Sequence, residues 1–296
     1  MTDRGAGRRW GVTDTVDCLC LERGSPSFPP PLEHIDGPPE RLWARGRLAL
    51  ARDPSPKVAL VGTRAPTPYG LAQAMRFGRA LGRAGVVVVS GLAQGIDQAA
   101  HQGALEVGGG TVAVLGSGLD RPWPRVPLVH EIARHGLLLS EFEPDRGPRP
   151  HHFPLRNRLI SGLVDGLLVI EAAGASGSLI TARWAADQGR EVFALPGRVD
   201  QPMASGCHRL LREGAGLVES PEELLQRLYG ESGPRAAGDD SCPRGELEAS
   251  LLGETLDADA LAQRAGRPVE EVLVELVRLE LEGRVVRAPG GLYRLS

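Results

Sequence analysis

Lysine is almost missing from this chain of 296 residues: Lys57 is the only one among 34 basic side chains. Arginine therefore carries nearly all the positive charge. Aromatic residues are also scarce, at 4%, so a sizeable core has to be built from Val, Leu, Ile and Ala. Only four cysteines occur (Cys18, Cys20, Cys207, Cys242), with no CxxC spacing. That argues against a disulfide framework and against a zinc site. No run approaches the roughly 18 uncharged apolar residues of a membrane span, and the N-terminus has no apolar signal core. A cytoplasmic protein is expected. The dinucleotide fingerprint GxGxxG is absent, no nucleophile–base–acid set stands out, and no metal motif appears. His151 and His152 have no carboxylate at ligand spacing. Neither a cofactor nor a metal nor a catalytic residue is assigned, and the pattern favours binding over covalent chemistry.

The formal net charge of −3 excludes a globally basic nucleic-acid binder. The charge is uneven, however. Residues 1–218 hold 25 basic and 21 acidic residues, a net of +4, whereas residues 219–296 hold 9 and 16, a net of −7. Any phosphate-binding surface is expected in the first part.

Along the chain, residues 1–54 read as an N-terminal extension that is partly ordered. Its proline-punctuated "SPSFPPPLEHIDGPPERLW" suggests an extended run, and "LAL" (48–50) suggests a short edge strand. A βα rhythm begins at Lys57. "KVALVG", "VVVVSG", "TVAVLGSG", "LLLSE", "GLLVIEA" and "EVFALPG" are apolar strands. "TPYGLAQAMRFGRALGRAG", "IDQAAHQGALEVGG", "PLVHEIARHG", "SLITARWAADQG" and "GCHRLLREGA" read as helices between and after them. Uninterrupted aliphatic strands alternating with helices imply an α/β fold, a Rossmann-like parallel sheet with helices on both faces, over about 55–228. Residues 229–245 read as a linker. Residues 246–296 read as three helices and a β-hairpin turned by "PGG", the order of a winged helix.

Four glycine- or arginine-bearing segments adjoin the strands. Gly62, Thr63 and Arg64 end the first one, where free backbone amides attract anions and a guanidinium can grip phosphate. Ser90 and Gly91 repeat the design in "SGLAQGID", with Asp97 able to satisfy loop amides. "RGPRPHHFPLRNR" (146–158) interleaves arginines with flat side chains; the plainer alternative is a solvated basic loop with Phe153 as its buried anchor. Its Phe153, Arg156, Asn157 and Arg158 suit a single strand, whose bases stack on the ring while guanidiniums take phosphates. Ser176, Gly177 and Ser178 precede a helix and can present amides and hydroxyls to an anion, with Thr181 one turn inside. In a doubly wound sheet all four segments can share one edge.

These motifs together resemble the DNA-processing protein A (DprA/Smf) family. The resemblance runs from about Phe28 to Ser220 through "VALVGTRAPTPYG", "VVVVSGLAQGIDQAAHQGAL", "GGGTVAVLGSGLD", "FPLRNRLISGLVDGLLVIEAAGASGSLITA" and "SGCHRLLREGA". It implies an extended Rossmann domain that binds single-stranded DNA as a homodimer. It also implies a role in helping to load the RecA recombinase and in protecting DNA taken up in natural transformation, with no catalytic activity and no membrane association. By position, Arg64 holds a phosphate, "FPLRNR" and "SGS" line the strand's pocket, and Phe153 contacts a base.

The sequence departs from that family in places. Gln94 stands where an arginine is usual, Trp123 where a tyrosine is usual, and His208 where an asparagine is common. Too few residues precede Phe28 to build the helical N-terminal domain that many members carry. The third helix of the winged-helix segment holds Glu270, Glu271, Glu275, Glu280 and Glu282 against Arg278, a poor surface for the DNA major groove. Arg284, Arg287 and Arg294 sit on the hairpin. The alternative reading is a nucleotide-processing enzyme akin to the phosphoribohydrolases of the lysine-decarboxylase-like group. Their "PGGxGTxxE" series is absent here; "AGASGSLITA" takes its place without the glutamate.

Overall fold

The structure is a computed structural model that describes residues 17–235, 245–251, 253–281 and 284–295. Residues 1–16 of the expected extension, 236–244 of the expected linker, Cys242 and Glu282 lie outside the described residues.

Two antiparallel strands, β1 (Leu19–Glu22) and β2 (Arg41–Gly46), open the fold, with a 3-10 turn at Pro30–Glu33 between them. A short helix, α1 (Ala49–Arg52), follows. The alternating part then runs β3 (Lys57–Val61), α2 (Pro68–Arg83), β4 (Val87–Ser90), α3 (Ile96–Glu106), β5 (Thr111–Val114) and α4 (Leu128–His135). It continues through β6 (Leu137–Ser140), α5 (His152–Gly162), β7 (Gly166–Val169), α6 (Ser178–Asp187), β8 (Glu191–Ala194), α7 (Ser205–Arg212), β9 (Gly216–Leu217) and α8 (Pro221–Tyr229). All nine strands join one sheet in the order β1-β2-β6-β5-β4-β3-β7-β8-β9. From β6 to β9 every pairing is parallel, and β2 lies antiparallel to β6.

The parallel strands β3 to β7 are buried along their whole length, which is why each reads as a nearly continuous aliphatic run. Ala59, Val61, Val89, Val114 and Val169 point into one layer with Leu159 and Ile160 of α5 and Ala182 of α6. Val58, Leu60, Val88 and Leu168 point into the other with Phe77 and Leu81 of α2 and Ala100 of α3. Burying one such Leu or Phe side chain stabilises the fold by about 1.5–3 kcal/mol. Thr67 caps α2 by accepting from the Gly70 amide at 3.1 Å, with Pro68 at the first helical position.

Two expectations are corrected. "LAL" is not an edge strand: Ala49–Arg52 is helical, and the Asp53 amide donates to Ala49 O at 2.8 Å. Ala, Leu and Arg are strong helix formers, and Pro54 ends the turn. The edge is supplied by β1 and β2, and Leu21, Phe28, Leu32 and Leu42 are fully buried beneath them. The segment "HFPLRNRLISG" is also not a loop but α5.

The last residues form α9 (Glu246–Ser250), α10 (Ala258–Ala265), α11 (Val269–Leu281) and the hairpin β10 (Val285–Ala288)–β11 (Leu292–Leu295). Leu247, Leu261, Val272, Leu276 and Tyr293 make their own core, the winged-helix arrangement expected.

Candidate functional site

The chain leaves β3 for β4, β5 and β6 on one side and returns to β7 on the other. The carboxyl ends of β3 and β7 are therefore the switch point of the sheet, where ligands of open α/β folds bind. Here the two loops are stitched together. The Thr63 amide donates to Glu171 O at 2.7 Å, and a Cβ on Gly62 would lie 2.8 Å from that same oxygen. Gly62 is required by this contact.

The helix N-terminus next to the switch point is already occupied. The Glu171 carboxylate accepts from the Thr67 amide at 2.9 Å and the Thr67 hydroxyl at 2.5 Å. A Cβ on Gly70 would lie 2.2 Å from Glu171 Oε2. An internal carboxylate thus sits where a dinucleotide fold seats pyrophosphate. The loop after β4 is filled in the same way. Leu92, fully buried, adopts φ +60°, and the Gly91 and Ala93 amides on either side converge on Asp97 Oδ2 at 3.1 and 3.3 Å. Such a nest of amides binds anions, and the anion here belongs to the protein. Burial raises the Asp97 pKa, and Arg156 and the two amides oppose the shift.

Arg156 is 4% exposed. Its guanidinium donates to Gly91 O at 2.7 Å, to Val114 O, and through Nε to Asn157 Oδ1 at 3.2 Å. A Cβ on Gly91 would lie 2.6 Å from its central carbon, so glycine there lets the cation in. Burial lowers the Arg156 pKa to about 10, with Asp97 opposing; the side chain stays charged at neutral pH. It bolts α5 to the ends of β4 and β5. Ser90 Oγ is turned down into the sheet and donates to Leu60 O at 2.6 Å.

Arg158 points elsewhere. It holds Glu141 through its two terminal guanidinium nitrogens at 2.5 and 3.0 Å, and its Nε donates to Gly37 O at 3.1 Å. Of the two arginines around Asn157, then, neither guanidinium faces solvent. The exposed side of the cluster is Arg64 and Phe153: the Arg64 guanidinium carbon lies 5.6 Å from the ring centroid. The ring rests on backbone, for a Cβ on Gly116 would meet it at 2.8 Å. Arg64 makes no hydrogen bond or ion pair among the described residues. Ser176, Gly177 and Ser178 sit beyond β7. The two hydroxyls bond each other at 2.8 Å, and Gly177 is exposed. Thr181 is buried in α6. No hydrogen bond joins this turn to Arg64 or Phe153 among the described residues.

The sequence reading missed Gly116, Glu141 and the Glu171 carboxylate on Thr67, whereas Asp97 was expected to satisfy loop amides and does so. Asp97 alone carried a signal, its place in "GLAQGID". Of the departures, Gln94 is exposed at the loop tip, and His208 Nε2 meets Gly197 O at 3.0 Å.

The family model for DNA recombination-mediator protein A matches residues 20–229. This chain belongs to the DNA recombination-mediator protein A family. A second model, the DprA winged helix domain, matches residues 232–291. Protein Smf of Escherichia coli (strain K12) is 43% identical over 282 residues, covering 90% of this chain and 75% of that one. DNA processing protein DprA of Streptococcus pneumoniae is 44% identical over 200 residues, 67% of this chain and 70% of its own. The X-ray structure of the Streptococcus pneumoniae DprA matches with a TM-score of 0.68 at 41% identity, over 72% of this chain and 75% of that one. The Helicobacter pylori DprA structure, solved for its single-stranded DNA binding mode, matches with a TM-score of 0.65 at 33% identity, over 71% and 95%. Among the described residues no helix of this family member is long and apolar enough to cross a membrane.

Proposed function

We propose that this chain is a single-stranded DNA-binding recombination mediator. It protects incoming single strands and helps load RecA in natural transformation, and it acts in the cytoplasm as a homodimer without catalytic activity of its own. The observation that carries this reading is the unpaired Arg64 guanidinium stacked on Phe153 at the carboxyl edge of the sheet. A cation beside a flat ring takes a phosphate and a base together, as single-strand sites do. The binding unit is assigned to residues 55–228, with 1–54 as an extension, 229–245 as a linker and 246–296 as the winged helix.

Gly62, Thr63, Ser90, Gly91, Arg156, Asn157 and Arg158 then support the surface by fixing its loops and α5, and Ser176–Ser178 with Thr181 offer a second anion contact beyond β7. The relatives named DprA favour DNA processing, and the single-strand mode of the Helicobacter pylori protein favours this ligand. An enzyme reading has less support, because Glu171 and Asp97 are each committed to backbone amides. In the winged helix, α11 exposes Leu273, Val274, Val277 and Leu281 beside Glu270, Glu271 and Glu280, a face suited to protein rather than to phosphate.

The test is fluorescence anisotropy with labelled oligo-dT and the matching duplex across a salt series, followed by RecA filament assembly on coated single strands with the protein added. Salt-sensitive preference for the single strand and faster filament growth are expected. Absence of binding at low salt would overturn the reading in favour of a nucleotide-processing enzyme.

A further inference from the structure

Trp123 is half-exposed, at 49% of its full surface, in a protein poor in aromatic residues. It lies at the centre of "RPWPR" (121–125), in which exposure alternates strictly. Arg121, Trp123 and Arg125 are exposed, while Pro122 and Pro124 are half-buried between them. The segment is an irregular, bent ribbon that turns three side chains to solvent. The two prolines restrict its backbone and that of the residues before them. The ribbon is also pinned. The Trp123 amide donates to Ser117 Oγ at 3.0 Å, and Ser117 O accepts from Ser140 Oγ at 2.8 Å. Gly118 and Asp120 amides donate to Arg146 O and Pro144 O at 2.7 and 2.8 Å, zipping it to the ribbon before α5.

The charges on this ribbon are sorted. Asp120 is held by Arg45 at 2.7 Å. The Arg121 and Arg125 guanidiniums make no hydrogen bond or ion pair among the described residues. Asp145 is exposed on the facing ribbon, with exposed Arg146 beside it. An exposed indole sacrifices burial, and a fixed indole between two unpaired guanidiniums is the composition of a stacking platform for a nucleic-acid base. Its position extends the site already described. Gly116, on which the Phe153 ring rests, is the neighbour of Ser117, which holds Trp123.

We infer that Arg121, Trp123 and Arg125 form a second stacking station for single-stranded nucleic acid, continuing the track from Arg64 and Phe153 across the end of β5. This rests on the single-strand reading above. A strand long enough to cross Gly116 stacks one base on Phe153 and a later one on Trp123, with phosphates on the two arginines. A strand too short to cross it uses Phe153 alone.

The full-length protein is titrated with oligo-dT of about 4 and about 16 nucleotides, following both anisotropy and tryptophan fluorescence. For the longer strand, W123A is expected to weaken binding about 5- to 150-fold, and W123F to restore most of it. The short strand binds W123A and wild type alike. The R121A/R125A double variant flattens the salt slope for the longer strand by about 1.4, two phosphate contacts. Quenching of wild-type fluorescence by the longer strand disappears in W123F. If wild type binds but W123A binds both strands as wild type does, or weakens both equally, the second station is overturned and the single-strand reading stands. If wild type binds neither strand, both fall together.

Discussion

The Arg64 guanidinium lies over the ring of Phe153 at 5.6 Å, and the ring in turn lies against Gly116. Backbone, ring and cation form a stack of three layers open to solvent on the last. Replacing Arg64 with Ala is expected to weaken single-strand binding and to reduce the dependence of log K on log salt by about 0.7, one phosphate contact. Anisotropy titrations at several salt concentrations measure both. An unchanged slope in a folded variant would defeat the assignment.

Phe153→Ala removes the stacking face but no charge. Affinity should drop by about 1–3 kcal/mol while the salt slope stays near wild type. Gly116→Ala should do part of the same without touching Phe153, since the new Cβ displaces the ring. Competition binding of both variants separates stacking from charge.

Arg158 is expected to matter for stability rather than for DNA. Its side chain is 8% exposed and Glu141 21% exposed. Losing one partner of such a half-sheltered pair costs about 1–3 kcal/mol, between surface and fully buried values. Urea unfolding of Arg158→Ala should show this loss, with strand affinity retained in the folded protein. Lost affinity at full stability would mean that the guanidinium leaves Glu141 for a phosphate.

Arg156→Ala should be more damaging, because it leaves Asp97 buried without a cation. The expected cost is about 3–5 kcal/mol. Arg156→Lys should recover little, since one ammonium cannot replace a planar fork spread over Gly91, Val114 and Asn157. Thermal melts of the two variants compare them directly.

His101 supplies a pH dependence. It is fully buried, its Nδ1 bonds Thr111 Oγ1 at 2.7 Å, and burial, aided by the nearby Arg156 charge, lowers its pKa to about 3. The unfolded histidine takes up a proton near pH 6.5 and the folded one does not. Its neutral form therefore stabilises the fold above pH 6.5, and that contribution is lost progressively as pH falls from 6.5 toward 3. His101→Gln keeps a partner for Thr111 without titrating. Its Tm should fall less steeply than wild type between about pH 6.5 and pH 4.5. Parallel slopes would assign acid lability to other groups.

The strands β3 to β7 were legible because they are apolar and buried on both faces, and the winged helix was legible through its element order and its turn. α5 was not, and the reason is physical. Its buried positions include His152, Arg156, Asn157 and Arg158. Polar residues occupy places where a helix normally shows apolar period, so the segment reads as a basic loop. The same inversion explains the site. Arg64, Arg156 and Arg158 look alike in sequence, yet two are internal fasteners and one is free. Only their partners (Glu141, Asp97, and the carbonyls of Gly91 and Val114) tell them apart, and those are distant in the chain. β1 and β2 were missed because the residues between them are rich in proline and carry no alternation.

Glu171 and Asp97 fill the amide clusters at the ends of β3 and β4. A strand terminus, with its extra phosphate charge, finds no socket there. On the proposed single-strand reading, a surface filled at those two strand ends has no way to count from a terminus, so it takes hold of the middle of a strand as readily as its tip. Circular single strands should therefore serve as well as linear ones, and many copies can gather on one molecule without waiting for a break.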